Sequence, residues 1–321
     1  ATVGRAAREL PAMDTFIQQI INGLVLGSLY ALVALGYTMV YGILNLINFA
    51  HGDVLMVGAL TALTSIMLLK SHFPDLPGVV LLVAGIAVAI PTCVMTSLII
   101  ERLAYRPLRG APRLAPLITA IGVSIVLQTL AMLIWGRNYM TFPSLLPSEP
   151  IEIFGATVTV TKLVVIGLSA LIMIGLMVLV NRSKLGRAMR ATAENPRVAG
   201  LMGVDPNTVI MITFAIGASL AAVAGVMLAA TYSVAHFYMG FMPGLKAFTA
   251  AVLGGIGNIP GAMLGGLLLG LIEALGAGYI GQLTGGVLGS HYQDVFAFIV
   301  LCAVLILRPS GLLGERVADR A

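Results

Sequence analysis

The sequence predicts an all-α, polytopic integral membrane protein with about eight to ten transmembrane helices, some of them short or broken. Three observations lead there. Hydrophobic residues make up 59% of the 321 positions and charged residues 10%, against about 25% charged in an ordinary soluble domain. Mean hydropathy is +1.02, and apolar runs of roughly 18 residues or more recur along the chain, the length a helix needs to cross hydrocarbon. The runs are continuous rather than alternating, which excludes a β-barrel. Of the 18 basic residues, 14 fall in four segments: Arg5 and Arg8; Arg102, Arg106, Arg109 and Arg113; Arg182, Lys184, Arg187, Arg190 and Arg197; Arg308, Arg316 and Arg320. Clusters of this kind mark loops on the cytoplasmic face. The net charge of +5 is explained by that distribution and calls for no nucleic-acid partner.

In chain order, residues 1–12 precede Met13 and read as an N-terminal extension on the cytoplasmic side; no small-residue cleavage site follows their charges, so they are not a signal peptide. The transmembrane body is expected over residues 13–308, with a polar cytoplasmic loop at 182–207 and a cytoplasmic tail at 309–321. A first span starts at Met13. Continuous spans follow at about 78–100, 114–135, 160–181, 208–231 and 291–307. Two segments are less simple. Tyr37 to Lys70 would be roughly 51 Å as helix and Pro243 to Gly281 roughly 58 Å, and each is interrupted by loop formers: Asn45, Asn48, His51, Gly52 and Asp53 in one, Gly254, Gly255, Gly257, Asn258, Pro260 and Gly261 in the other. If each crosses twice, there are ten spans with both termini inside and every basic cluster faces the cytoplasm, so this arrangement is favoured over eight. The outer loop containing SLLPSEPIEIFGATVTV is then long enough for a small hairpin exposing Glu149 and Glu152 to an external partner.

The insert NRSKLGRAMRATAENPRVAGLMGVDPN, from Asn181 to Asn207, carries a complete helix signature. Asn195 suits an N-cap, Pro196 the first helical position and Gly203 the end of the turn. Val198, Leu201 and Met202 on this short helix have no bilayer to enter and call for a protein groove. An ordinary solvated loop is the competing reading.

Ionisable and polar groups at membrane depth are expensive to keep and therefore informative. Asn48, His51, Asp53, Asn258 and Glu273 are the candidate substrate-pathway residues, with Lys246 and Asp294 also at depth. The competing reading puts His51 and Asp53 in a short cytoplasmic turn and gives Glu273 a bond to a neighbouring helix. Gly23 and Gly27, Gly266 and Gly270, and Gly257, Gly261 and Gly265 recur every fourth residue and read as close helix packing. INFAHGDVLMVGA and IGNIPGAMLGG share a faint pattern of an internal repeat. Cys93 and Cys302 lie in apolar runs and read as packing residues, and His72, His236 and His291 as loop residues rather than metal ligands. No glycine directly precedes any lysine, so the phosphate-cradling GxxxxGK[ST] loop is absent, as are HExxH and GxSxG. No catalytic residue is expected.

YTMVYGILNLINFAHGDVLMVGA, ERLAYRPLRG, LGRAMRATAENPRVAGLMGVD and LKAFTAAVLGGIGNIPGAMLGG together resemble the LivH/LivM-type permease family of branched-chain amino acid ABC transporters, over about Met13 to Gly314. The resemblance implies one of two homologous permease subunits, paired with a LivM-like partner, two cytoplasmic ATP-binding subunits and a periplasmic amino-acid-binding protein in the inner membrane. ATP and Mg would be used by the partner ATPases and no cofactor bound by this chain. It also implies that the insert holds a coupling helix, mapped onto Arg190, Glu194, Asn195, Pro196, Arg197, Gly200, Gly203 and Asp205. Permeases for urea and short amides share much of the pattern, and an ion-coupled secondary transporter would also show broken helices and buried acids.

Overall fold

In the computed structural model the described residues are 12–112, 114–147, 149–153, 155–283 and 292–314. Helix α1 (Ala12–Leu44) is followed by α2 (His51–His72), α3 (Gly78–Ile100) and α4 (Leu114–Trp135), with a π turn and a 3-10 turn carrying α3 on to Leu108. Strands β1 (Met140–Thr141), β2 (Pro150–Ile153) and β3 (Ala156–Thr159) lead into α5 (Val160–Arg182). Two short helices, α6 (Lys184–Glu194) and α7 (Pro196–Leu201), precede the long α8 (Pro206–Tyr232). Strand β4 (Val234–Ala235), α9 (Phe241–Gly254), α10 (Ile259–Leu283) and α11 (Gln293–Leu307) complete the described chain. Seven of the helices are long and apolar enough to cross a membrane, and Phe241–Gly254 and Phe298–Leu307 are shorter apolar segments. The protein is a multi-pass, all-α membrane protein.

Close packing is set by glycine where α1 runs antiparallel to α10. A Cβ on Gly270 would lie 2.2 Å from the Gly27 nitrogen, and one on Gly23 would lie 2.8 Å from the Leu271 Cα. With no hydrophobic drive between helices in lipid, this approach supplies the dispersion contact that holds them. Gly261 and Gly265 pack in the same way on Gly254 and Ala250 of α9. Gly257 does not belong to that stripe: it lies in the turn before α10 with φ +93°. The core centres on α1 and α8, each 72% buried over its most apolar stretch, whereas α4 is 17% buried and presents most of its surface outward.

Two faces are defined. On one, the β2–β3 hairpin covers the start of α1: Thr157 N–H donates to Gln18 Oε1 at 2.9 Å, and a Cβ on Gly155 would meet Asp14 Oδ1 at 2.5 Å. The expected hairpin thus forms, with Glu149 and Glu152 exposed. On the opposite face lie α6, α7, the α3–α4 connection and the α9–α10 turn, to which the chain returns after α11 through Leu312 N–H to Leu253 O at 2.9 Å and Leu313 N–H to Gly254 O at 3.0 Å.

The ten-span arrangement with both termini on the insert face is corrected by this geometry. Tyr37 to Leu44 is the end of an unbroken α1 rather than a separate pass, because no breaker interrupts the apolar run before Asn45, which takes φ +52°. Pro243 to Gly281 does divide into two helices, α9 and α10. Among the described residues seven helices are long and apolar enough to cross and two shorter apolar helices accompany them, and the Ala12 end of α1 lies beside the hairpin. Arg5, Arg8, His291, Arg316 and Arg320 lie outside the described residues. Both INFAHGDVLMVGA and IGNIPGAMLGG enter a long helix, α2 and α10, after a break.

Candidate functional site

The insert is built from two capped helices, α6 and α7. Ser183 caps α6 by accepting from Gly186 N–H at 2.9 Å. Gly186 is required there, since a Cβ would fall 1.9 Å from the Val180 carbonyl oxygen, so α6 folds back tightly on the end of α5. The Arg190 guanidinium donates to that same carbonyl, satisfying one of the acceptors that every helix C-terminus leaves open. Glu194 closes α6.

Asn195 Oδ1 then accepts from the N–H groups of Arg197 and Val198, both at 3.1 Å, with Pro196 at the first helical position. At the other end Gly203 takes φ +85°, and Val204 N–H reaches back to Ala199 O at 3.1 Å. Asp205 caps α8, receiving the Thr208 hydroxyl at 2.5 Å and the Asn207 N–H at 3.1 Å. The Thr208 hydroxyl first, and the Asn207 N–H second, hold the Asp205 carboxyl below the usual carboxylate range. Val198 is 52% exposed, Leu201 87% and Met202 81%. Gly200 faces open space and Arg197 is exposed.

The five candidate pathway residues do not converge. Asn258 caps α10, accepting from Gly261 N–H at 2.9 Å and donating to the Leu313 carbonyl at 2.9 Å, on the insert face. Asn48 is buried and accepts from the Tyr105 hydroxyl at 2.9 Å. His51 and Asp53 are also buried, so they do not cap helices in a solvated cytoplasmic turn. The His51 ring packs edge-on against Tyr37, centroids 4.9 Å apart, in the space opened by Gly36, whose Cβ would lie 2.2 Å from Nε2. Asp53 accepts from Gln128 Nε2 of α4 at 3.0 Å.

Glu273 belongs to a third location. Its Oε1 lies 2.6 Å from Lys246 Nζ of α9, which is also 2.7 Å from Asp294 Oδ1 of α11. The Tyr30 hydroxyl of α1 donates to Glu273 Oε2 at 3.0 Å, and Lys246 sits 5.7 Å from the Tyr30 ring centre. Four helices therefore meet at one ionic cluster. Sequence reasoning had Glu273, Lys246 and Asp294 at depth but missed Tyr30 and the convergence. The available signal was opposite charge on separate apolar helices, where burial is affordable only as a pair. No grouping of three or more His, Cys, Asp or Glu suited to a metal occurs among the described residues.

A family model described as the branched-chain amino acid transport system / permease component matches residues 19–305. The chain belongs to this family. It is 47% identical over 315 residues, 97% of this chain and the whole of the relative, to the high-affinity branched-chain amino acid transport system permease protein BraD of Pseudomonas aeruginosa. It is 46% identical over 309 residues to the corresponding LivH of Escherichia coli K12, covering 95% of this chain and 97% of the relative. A probable branched-chain amino acid transport permease LivH of Methanocaldococcus jannaschii is 31% identical over 296 residues, 91% of each chain. No solved structure matches. Within the family, the matched region takes in the insert, the ionic cluster and both helix breaks, so all three belong to the shared permease body rather than to an appendage.

Proposed function

We propose that this chain is the membrane-spanning subunit of an ABC importer that carries branched-chain amino acids across the inner membrane, using ATP and Mg bound and hydrolysed by two partner subunits. A LivM-like second permease subunit and a periplasmic binding protein complete the assembly. The observation that carries this reading is α7: a helix fixed at both ends, with Val198, Leu201 and Met202 uncovered, and joined through α6 to α5 on one side and directly to α8 on the other. Apolar side chains held clear of the bilayer on a rigid mount fit a groove in a soluble protein. The insert face also carries Arg102, Arg106, Arg109, Arg182, Lys184, Arg187, Arg190, Arg197 and Arg308, which supports a cytoplasmic position for it.

A push on α7 has two routes into the bundle. One passes through α6 and the Arg190 bond to Val180 of α5; the other passes through Asp205 to α8, which lies in the core. Closure of the ATPases would in this way tilt α5 and α8 and shift the bundle between inward- and outward-open arrangements. Coupling is measured in proteoliposomes containing all partner subunits. Leu201→Asp with Met202→Asp should leave the complex membrane-inserted while abolishing leucine accumulation and substrate-stimulated ATP hydrolysis. Accumulation that persists after ATP depletion, or stops when ion gradients alone are collapsed, overturns the assignment.

A further inference from the structure

The connection from α3 to α4 leaves α-helical geometry at once. After Ile100 the backbone enters a π turn over Glu101–Tyr105 and a 3-10 turn over Arg106–Leu108, so the register of α3 no longer fixes where Tyr105 and Arg109 lie. Departures of this kind often mark hinges and functional sites. Side chains hold the segment instead.

Arg109 joins two elements through the two ends of one guanidinium. Nη1 donates to Asn207 Oδ1, in the first turn of α8, at 2.6 Å, and Nη2 pairs with the Glu101 carboxylate. Glu101 is buried, and a planar fork sets the positions of both acceptors at once, which the point charge of a lysine does not. Asn207 follows directly on the Asp205 cap and Pro206, so it moves with the short link from α7 to α8.

Tyr105 makes the second contact. Its hydroxyl donates to Asn48 Oδ1 at 2.9 Å, and its ring leans on Phe214 of α8 with centroids 5.8 Å apart. Tyr105 and Asn48 are both buried. Asn48 lies in the break between α1 and α2, and its carbonyl accepts from the His51 N–H at 3.0 Å where α2 begins. An unbroken set of contacts therefore runs from the end of α7, through Asn207, Arg109, Glu101 and Tyr105, to the start of α2.

We propose that Arg109 is a positioning residue for transport: it ties the α3–α4 connection to the first turn of α8, so that displacement of α7 reaches the α1–α2 break through Tyr105 and Asn48. The inference rests on the coupling role proposed for α7 and extends it beyond α5 and α8 to α2.

Coupling is demonstrated by interaction between substitutions rather than by proximity. The complete transporter in proteoliposomes carries Ile47→Cys in the break, at a half-buried position, and Cys302→Ala, which removes the exposed native thiol. In this background ATP with vanadate should change the rate of maleimide modification at position 47 several-fold. Asn207→Ala removes one acceptor of Arg109 and leaves the Glu101 pair and the Asp205 cap intact. It should bring the rates with and without nucleotide together and lower leucine uptake at least about five-fold, the small end of a coupling between sites, at unchanged melting temperature and basal ATP hydrolysis. Asn207→Asp, which restores an acceptor, should recover both. Tyr105→Phe should act as Asn207→Ala does, and the two combined should be no worse than the more severe single variant. A full nucleotide-dependent change in Asn207→Ala, equal losses in Asn207→Ala and Asn207→Asp, or losses that multiply in the double variant overturn the role of Arg109. ATP-driven leucine uptake by the unaltered complex is read independently. If that uptake is present and nucleotide leaves position 47 unchanged, the inference fails and the transport reading stands; if the uptake itself is absent, the transport reading falls first.

Discussion

Lys246 holds two carboxylates in a setting where each ion loses most of its hydration, so its removal leaves Glu273 and Asp294 without a counter-charge. Breaking a buried pair by deleting one partner costs about 3–5 kcal/mol, whereas replacing both partners by apolar groups is often close to neutral. Lys246→Met should therefore lower the melting temperature of the purified protein more than Lys246→Met combined with Glu273→Leu. A double variant at least as unstable as the single one would show that the cluster owes its stability to something other than charge pairing. His236 gives a second measurement. Burial holds its imidazole below the ordinary value, and Nδ1 accepts from the Tyr238 N–H at 3.2 Å. Its contribution to stability is complete above the unfolded pKa of about 6.5 and is lost as pH falls toward the lower folded value. The melting temperature should drop as pH is lowered from about 7 to 5, and His236→Gln should flatten that part of the profile. Neither expectation was legible in the sequence. Lys246 and Glu273 are 27 positions apart and Tyr30 and Glu273 are 243 apart, and only the packing of α1, α9, α10 and α11 brings them together.

Local elements were far more readable, because a helix cap involves neighbours in the chain. Asn195, Pro196 and Gly203 signalled α7 from their order alone, and all three occupy the positions that those residue types favour. The breaks at 45–50 and 255–258 were likewise marked by Asn and Gly. What local chemistry leaves open is which helix a break belongs to: α1 continues to Leu44 because the residues before Asn45 are as apolar as those that begin the span. The cap also offers a graded probe of α7. Asn195→Ala removes the acceptor for two backbone N–H groups and should cost about 0.5–2 kcal/mol of local stability. Amide exchange at Arg197 and Val198 should accelerate accordingly, by roughly two- to thirty-fold for that range, while exchange in α8, capped separately by Asp205, stays unchanged. If the coupling reading is right, ATP hydrolysis should lose part of its response to substrate in the same variant.

At the scale of the whole molecule, the number of crossings decides which parts of the chain share a side of the membrane. Composition and positive charge identified the membrane class and the basic face, but an even count depended on putting the N-terminal arginines on that face. The packing in the bundle instead puts the start of α1 and the end of the described chain on opposite faces. The start of α1 lies under the hairpin through Gln18 and Thr157, while a Cβ on Gly42 near its other end would lie 3.7 Å from the Gly257 Cα beside the α9–α10 turn, so α1 traverses the bundle once. Three single cysteines distinguish the arrangements: Phe16→Cys at the exposed start of α1, Thr157→Cys on the hairpin and Arg197→Cys on α7, each in a Cys302→Ala background. A membrane-impermeant thiol reagent applied from outside the inner membrane should modify positions 16 and 157 and spare 197, and the pattern should reverse in inverted vesicles. Ten crossings require position 16 to label together with 197. Modification of 16 with 157 fixes the hairpin on the outer side of the membrane, with α7 on the side where ATP is available.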